Sequence, residues 1–134
     1  MEENPNITNF VRWLETLGNT GVTRVSQFIS DDVRCRTPEL EGAGREGAVA
    51  VYAYMFKGAT SVKTRVLDVA YGLSGHNVYL RWDRLVTPIK GEKWTVSGVT
   101  EITIGTSGKF IAITDYWDDT PTRPMGLIAR LFNR

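Results

Sequence analysis

The hydrophobic period of this chain changes once, near Ser61, and that change limits what it can fold into. Before it, apolar residues recur at helical spacing: Ile7, Phe10, Val11, Leu14 and Leu17, then Val22, Val25, Phe28 and Ile29, then Ala48, Val49, Tyr52 and Phe56. Gly18 and the pair Asp31-Asp32 end the first two helices, and the third spans 45–56. A short extended piece at 33–37 is cut by Pro38, and a loop from Glu39 to Gly44 follows. After Ser61, the runs 62–71, 78–86, Trp94–Ile104 and Phe110–Trp117 read as strands. The turn signals Gly72-Leu73-Ser74-Gly75, Thr87-Pro88 with Lys90-Gly91, and Gly105-Thr106-Ser107-Gly108 divide them. Such short turns predict an antiparallel meander, and Gly98 inside a long run predicts a bulge or sharp bend. Beyond Pro121 and Pro124, the amphipathic segment 125–133 returns to helical spacing and is expected over the cone mouth or against a partner subunit. Helices first and a long bent sheet second make an α+β fold, a cone whose hollow suits a small molecule.

Composition bounds the partners. The 134 residues, 42% hydrophobic, fit one domain over 1–134 with a substantial core. Sixteen Lys+Arg against 15 Asp+Glu give a net charge of +1, which is no footprint for nucleic acid or an anionic membrane. Cys35 is the single cysteine, so neither an internal disulfide nor a zinc-type cluster is expected, and His76 has no second ligand beside it. No window approaches the roughly 18 apolar residues of a membrane span. Residues 1–10 lack the pattern of a signal peptide, so the expected location is the cytoplasm.

Three ionisable residues sit inside strand-like runs: Arg81 and Asp83 in 78–86, Asp115 in Phe110–Trp117. Side chains alternate along a strand, so Arg81 and Asp83 share a face. Were that face turned to a cavity, these charges would share poorly solvated space, which calls for pairing or for chemistry. Trp82 would then lie on the outer face and fit a sheet-to-sheet homodimer contact.

Several local patterns resemble the nuclear transport factor 2-like superfamily, which includes SnoaL-type polyketide cyclases, ketosteroid isomerases and limonene-epoxide hydrolases. They are Phe28-Ile29-Ser30-Asp31-Asp32-Val33, Pro38 with Gly44-Arg45-Glu46-Gly47-Ala48, Trp94-Thr95-Val96-Ser97-Gly98-Val99-Thr100-Glu101, and Gly108-Lys109-Phe110-Ile111 with Thr114-Asp115-Tyr116-Trp117-Asp118. Their order spans nearly the whole chain. The resemblance implies a cone-shaped fold with a strongly curved antiparallel or mixed sheet, an internal pocket and a short C-terminal helix.

The resemblance also implies a site. In the epoxide hydrolases an "R-x-D" strand and the aspartate of the last strand form an Asp–Arg–Asp set, matched here by Arg81, Asp83 and Asp115. Asp115 would be the base, Asp83 the acid, and Arg81 the bridge between them. Where those enzymes carry "Y-x-N", this chain has Arg34-Cys35-Arg36-Thr37-Pro38, so an inward arginine would favour an anionic ligand over a neutral epoxide. The aspartate base of the ketosteroid isomerases has Thr37 as its nearest counterpart, whereas the catalytic aspartate of SnoaL-type cyclases matches Asp115. Arg34, Arg36, Tyr52, Tyr79 and Trp13 complete the expected substrate-binding set. The leading expectation is a cofactor-independent acid/base enzyme acting on a small hydrophobic substrate. The alternative is a non-catalytic ligand-binding or dimeric assembly module of the same fold.

Overall fold

A computed structural model describes residues 4–117. The segment 125–133 and Asp118 therefore lie outside the described residues. Helix α1 spans Pro5–Thr16; the Asn4 side chain accepts from the Asn6 N–H at 2.8 Å, and Pro5 opens the first turn. Ile7, Phe10, Trp13 and Leu14 form its buried stripe. The next segment differs from expectation. It is a 3-10 helix, Asn19–Gln27, and Ile29 already begins a strand. Thr20, Val22, Thr23 and Val25 disfavour the α form. The three-residue spacing of Val22, Val25 and Phe28 aligns them on one edge of a 3-10 turn.

Strand β1 spans Ile29–Arg36, and the expected loop contains a short strand β2, Glu41–Ala43. Helix α2 covers Gly44–Tyr54. Four long strands follow: β3 Ala59–Tyr71, β4 Asn77–Pro88, β5 Trp94–Ile104 and β6 Phe110–Trp117. The sheet runs β2-β1-β6-β5-β4-β3. Its neighbours are antiparallel except β1 and β6, which are parallel, so the sheet is mixed. Register shifts between Val66 and Asp68 and between Thr103 and Ile104 bend it, as bulges do. The first is stitched to α1, where Glu15 Oε2 accepts from the Val66 N–H at 2.9 Å. The α+β layout expected from the sequence is the one observed.

The helices cover one face of the sheet around an aromatic core of Phe10, Trp13, Phe28, Tyr52 and Phe110. Glycine permits close approach at two places in this packing. Gly42 and Gly47 touch backbone to backbone; a Cβ on Gly42 would meet the Gly47 carbonyl oxygen at 2.5 Å, so β2 and α2 dock without side chains between them. Gly98 makes no bulge, because its register runs unbroken from Trp82 to Trp117. It instead makes room: a Cβ there would lie 2.6 Å from Trp82 Cη2 and 2.5 Å from the Tyr116 carbonyl oxygen.

Along β4, Val78, Leu80, Trp82, Arg84 and Val86 are buried, while Tyr79, Arg81 and Leu85 are exposed and Asp83 is half-buried. This reverses the face expected for Arg81, Asp83 and Trp82. The apolar side chains set the phase, since burying each is worth about 1.5–3 kcal/mol. That choice takes one charge inside, Arg84, where the opposite phase would take two.

Candidate functional site

A cavity of about 250 Å³ opens between α2 and the inner face of the sheet. Val51, Val62, Val86, Val96, Trp94 and Trp117 give it apolar walls, and Glu39, Tyr54 and Lys57 line it too. Its polar floor is Tyr52 from α2, Arg84 from β4 and Asp115 from β6. β4 and β6 flank β5, whose Thr100 pairs with Asp115 across the ladder.

All three floor residues are buried. Arg84 Nη1 stands 3.7 Å from Asp115 Oδ2, an ion pair too long for a hydrogen bond. Thr100 Oγ1 donates to Asp115 Oδ1 at 2.6 Å and itself accepts from Trp82 Nε1 at 2.8 Å. Arg84 Nε donates to Thr64 Oγ1 at 3.1 Å, and the guanidinium carbon lies 3.8 Å from the centre of the Trp82 ring. Among the described residues, two buried side-chain polar atoms have no partner: Tyr52 Oη and Arg84 Nη2. Both belong to residues of this floor.

Burial raises the Asp115 carboxyl above the ordinary aspartate range; Arg84 and the Thr100 hydrogen bond pull the other way without cancelling it. Tyr52 is raised well above its ordinary value, chiefly by burial, so it stays a hydroxyl donor. Burial, with Asp115 nearby, pushes the Cys35 thiol up to about 12, which leaves it neutral and a poor nucleophile. Such a floor can accept a proton at Asp115 Oδ2, beside two hydrogen-bond donors that no protein group satisfies. Among the described residues, no group of His, Cys, Asp and Glu is placed to hold a metal ion.

Of the residues singled out in the sequence, the structure brings Asp115 and Tyr52 to this cavity. Arg81 and Asp83 do not join them. Arg81 donates to Asp68 Oδ2 through Nε and Nη2 at 3.0 and 2.6 Å, on the outer face. Asp83 accepts there from Ser97 at 2.7 Å and from Arg65 at 3.5 Å. Arg34 and Arg36 are exposed and Cys35 between them is buried, so neither arginine turns inward; Arg36 pairs with Glu41 at 2.9 Å. Tyr79 is on the outer face and donates to Glu101 at 3.3 Å. Trp13 is buried in the aromatic core, its indole N–H donating to the Gly21 carbonyl at 3.1 Å. The homodimer contact expected of Trp82 is lost with its burial. Arg84, Thr100 and Thr64 were missed. The available signal was the phase of β4: Arg84 falls in step with Val78, Leu80, Trp82 and Val86.

The model of the SnoaL-like domain family matches residues 10–113. A search of curated proteins gives no match. Among solved structures, an NTF2-like protein of unknown function from Burkholderia pseudomallei K96243 superposes with a TM-score of 0.74 at 16% identity, covering 99% of this chain and 100% of that one. A proposed SnoaL-like polyketide cyclase from Jannaschia sp. CCS1 gives 0.71 at 17%, covering 96% and 95%. The epoxide hydrolase/cyclase-like enzyme SalBIII, described in pyran ring formation in the polyether salinomycin, gives 0.67 at 12%, covering 85% and 88%. At these identities the likeness is one of fold.

Proposed function

The chain belongs to the SnoaL-like domain family, and from that premise we propose that it is a cofactor-independent acid/base enzyme acting on a small hydrophobic substrate, of the cyclase or isomerase kind. One observation carries the reading: a buried carboxyl and two unpartnered hydrogen-bond donors belong to residues that together line the floor of one cavity with apolar side walls. Asp115 Oδ2 is the base. It takes a proton from a carbon next to a carbonyl, and the C–H electron pair moves into an enolate. The oxygen that gains charge accepts from Arg84 Nη2 and the Tyr52 hydroxyl, two buried donors that the protein itself leaves unpartnered. Asp115 then returns the proton to another atom of the substrate, or the enolate carbon closes a ring on an internal carbonyl, whose π pair moves to its oxygen, and Asp115 gives its proton to the alkoxide so formed. A carboxyl raised toward neutrality is suited to both accepting and returning a proton.

Epoxide hydrolysis fits less well, because its second carboxylate was to be Asp83, on the far face of the sheet. Among the described residues, the carboxylates lining the cavity are Asp115 and Glu39, and Glu39 is exposed. The outer face, with Tyr79, Leu85 and Tyr116 exposed, remains the surface we assign to a homodimer. Light scattering on the purified protein reads that assignment directly, and a monomeric mass would end it.

The test of the enzyme reading is solvent-deuterium incorporation into small cyclic and unsaturated ketones, followed by NMR. The wild-type protein should accelerate exchange, and Asp115→Asn should lose about 10²–10⁴-fold of it while keeping its circular dichroism spectrum. Equal exchange by the two proteins refutes the assignment. Binding of those ketones without accelerated exchange by wild type would support a ligand-binding module instead.

A further inference from the structure

Trp82 is the largest of the fully buried side chains, and it touches both halves of the floor. Its ring face carries the Arg84 guanidinium at 3.8 Å. Its indole N–H, 2.8 Å from Thr100 Oγ1, begins a chain that ends on Asp115 Oδ1. An indole nitrogen only donates, so Thr100 must accept from it and turn its own proton toward the carboxylate. The direction of the chain is thereby fixed. Oδ1 is occupied, and Oδ2 is left as the oxygen that faces Arg84. On the other side, the cation–π contact with the ring and the bond from Nε to Thr64 hold the guanidinium over Trp82. Both ends of the ion pair are therefore anchored away from each other, which accounts for a separation of 3.7 Å. An unanchored arginine and aspartate close to direct hydrogen bonds, as Arg81 and Asp68 do at 2.6 Å on the outer face.

The indole is itself immobilised. Gly98 lies against its six-membered ring, and Trp117 meets it edge to face with ring centres 6.3 Å apart. We propose that Trp82 is the positioning residue of this site: through Thr100 it aims Asp115, and through its ring face it holds Arg84 back, so that Oδ2 stays out of a direct hydrogen bond with the guanidinium and Nη2 stays unpartnered. This rests on the reading of Asp115 as the base, yet it concerns the geometry of the unliganded floor and can be tested without a substrate.

The experiment tracks the side-chain carboxyl of Asp115 by ¹³C NMR across a pH titration, in wild type, Thr100→Val, Thr100→Ser and Trp82→Phe. The groups facing that carboxyl are Arg84 from β4, Thr100 from β5, Cys35 from β1 and Tyr52 from α2. Thr100→Val deletes the donor and should move the titration to higher pH. Thr100→Ser retains the hydroxyl and should restore the wild-type curve. Trp82→Phe keeps a ring under Arg84 but frees the threonine hydroxyl to rotate, so it should move the titration in the same direction by less. A purely structural role for Trp82 and Thr100 predicts lower melting temperatures with the Asp115 titration unmoved, and that result in folded Thr100→Val overturns the proposal. Should Trp82→Phe fail to fold, the valine and serine pair still decides. Loss of exchange activity in Asp115→Asn tests the enzyme reading separately, so either conclusion can fail alone.

Discussion

The two faces of the sheet carry the same chemical pair in opposite settings. Outside, Arg81 and Asp68 face each other across β4 and β3, 58% and 65% exposed, at 2.6 Å. Inside, Arg84 and Asp115 are each 5% exposed and stand 3.7 Å apart. The shorter contact is the weaker contribution, because water screens it and ordering two long side chains offsets it, leaving about 0–1 kcal/mol. The longer contact lies where solvent cannot substitute for either partner, and there each charge depends on the other. An arrangement kept buried, imperfectly paired and next to a cavity does little for stability that a hydrophobic pair would not do better. That is the physical reason for assigning the inner pair to function and the outer pair to the surface.

The largest break in this comparison should come from Arg84→Leu. It leaves the Asp115 carboxyl buried without its cation, which should cost about 3–5 kcal/mol near neutral pH. Urea denaturation checks this, and the deficit should shrink at lower pH, where the carboxyl can take a proton. A loss below about 1 kcal/mol at neutral pH would mean that the inner pair behaves like the outer one.

Asp115 sharpens the contrast through pH. Its native carboxyl holds a proton to higher pH than the unfolded chain does. Between the ordinary aspartate value and the raised one, the native state binds more protons, so stability from this group falls as pH rises through that window. It is fully present below the unfolded value and lost above the native one. Asp115→Asn should flatten this part of the melting-temperature profile; a profile parallel to wild type would contradict the raised carboxyl.

Gly98→Ala is expected to act at a smaller scale. Its methyl would collide with Trp82 and the Tyr116 carbonyl, costing about 1–3 kcal/mol. If Trp82 yields, the Asp115 titration should shift as well. Arg81→Ala should change stability least, by under about 1 kcal/mol, and leave ketone exchange unchanged. Lost exchange in that variant would return Arg81 to the site.

Legibility in the sequence divides along the same line. β5 and β6 were read residue for residue, since alternation and Gly-rich turns both mark their ends. The 3-10 helix escaped because Val22, Val25, Phe28 and Ile29 satisfy a helical spacing as well as a tighter one. β2 escaped because a three-residue strand of Glu, Gly and Ala has no pattern to read. Asp115 and Tyr52, expected at a site, do line the cavity, whereas Arg84 lines it in place of Arg81 and Asp83. Alternation says which residues share a face and not which face is covered. Weighing the whole phase, with Val78, Leu80, Trp82 and Val86 on the side of Arg84, would have placed the arginine inside.

The contact between Gly42 and Gly47 bears on how the cavity admits its contents. Two backbones at van der Waals distance have no side chain to rearrange, so β2 and α2 have little slack to separate or to slide. Leu40, just before β2, and Tyr52, Tyr54 and Met55, at the end of α2 and just after it, line the cavity. This wall of the cavity is therefore a fixed frame, and adjustment to a ligand there falls to rotations of single side chains such as Tyr54 and Lys57. Selection by size would then operate like a sieve of set mesh.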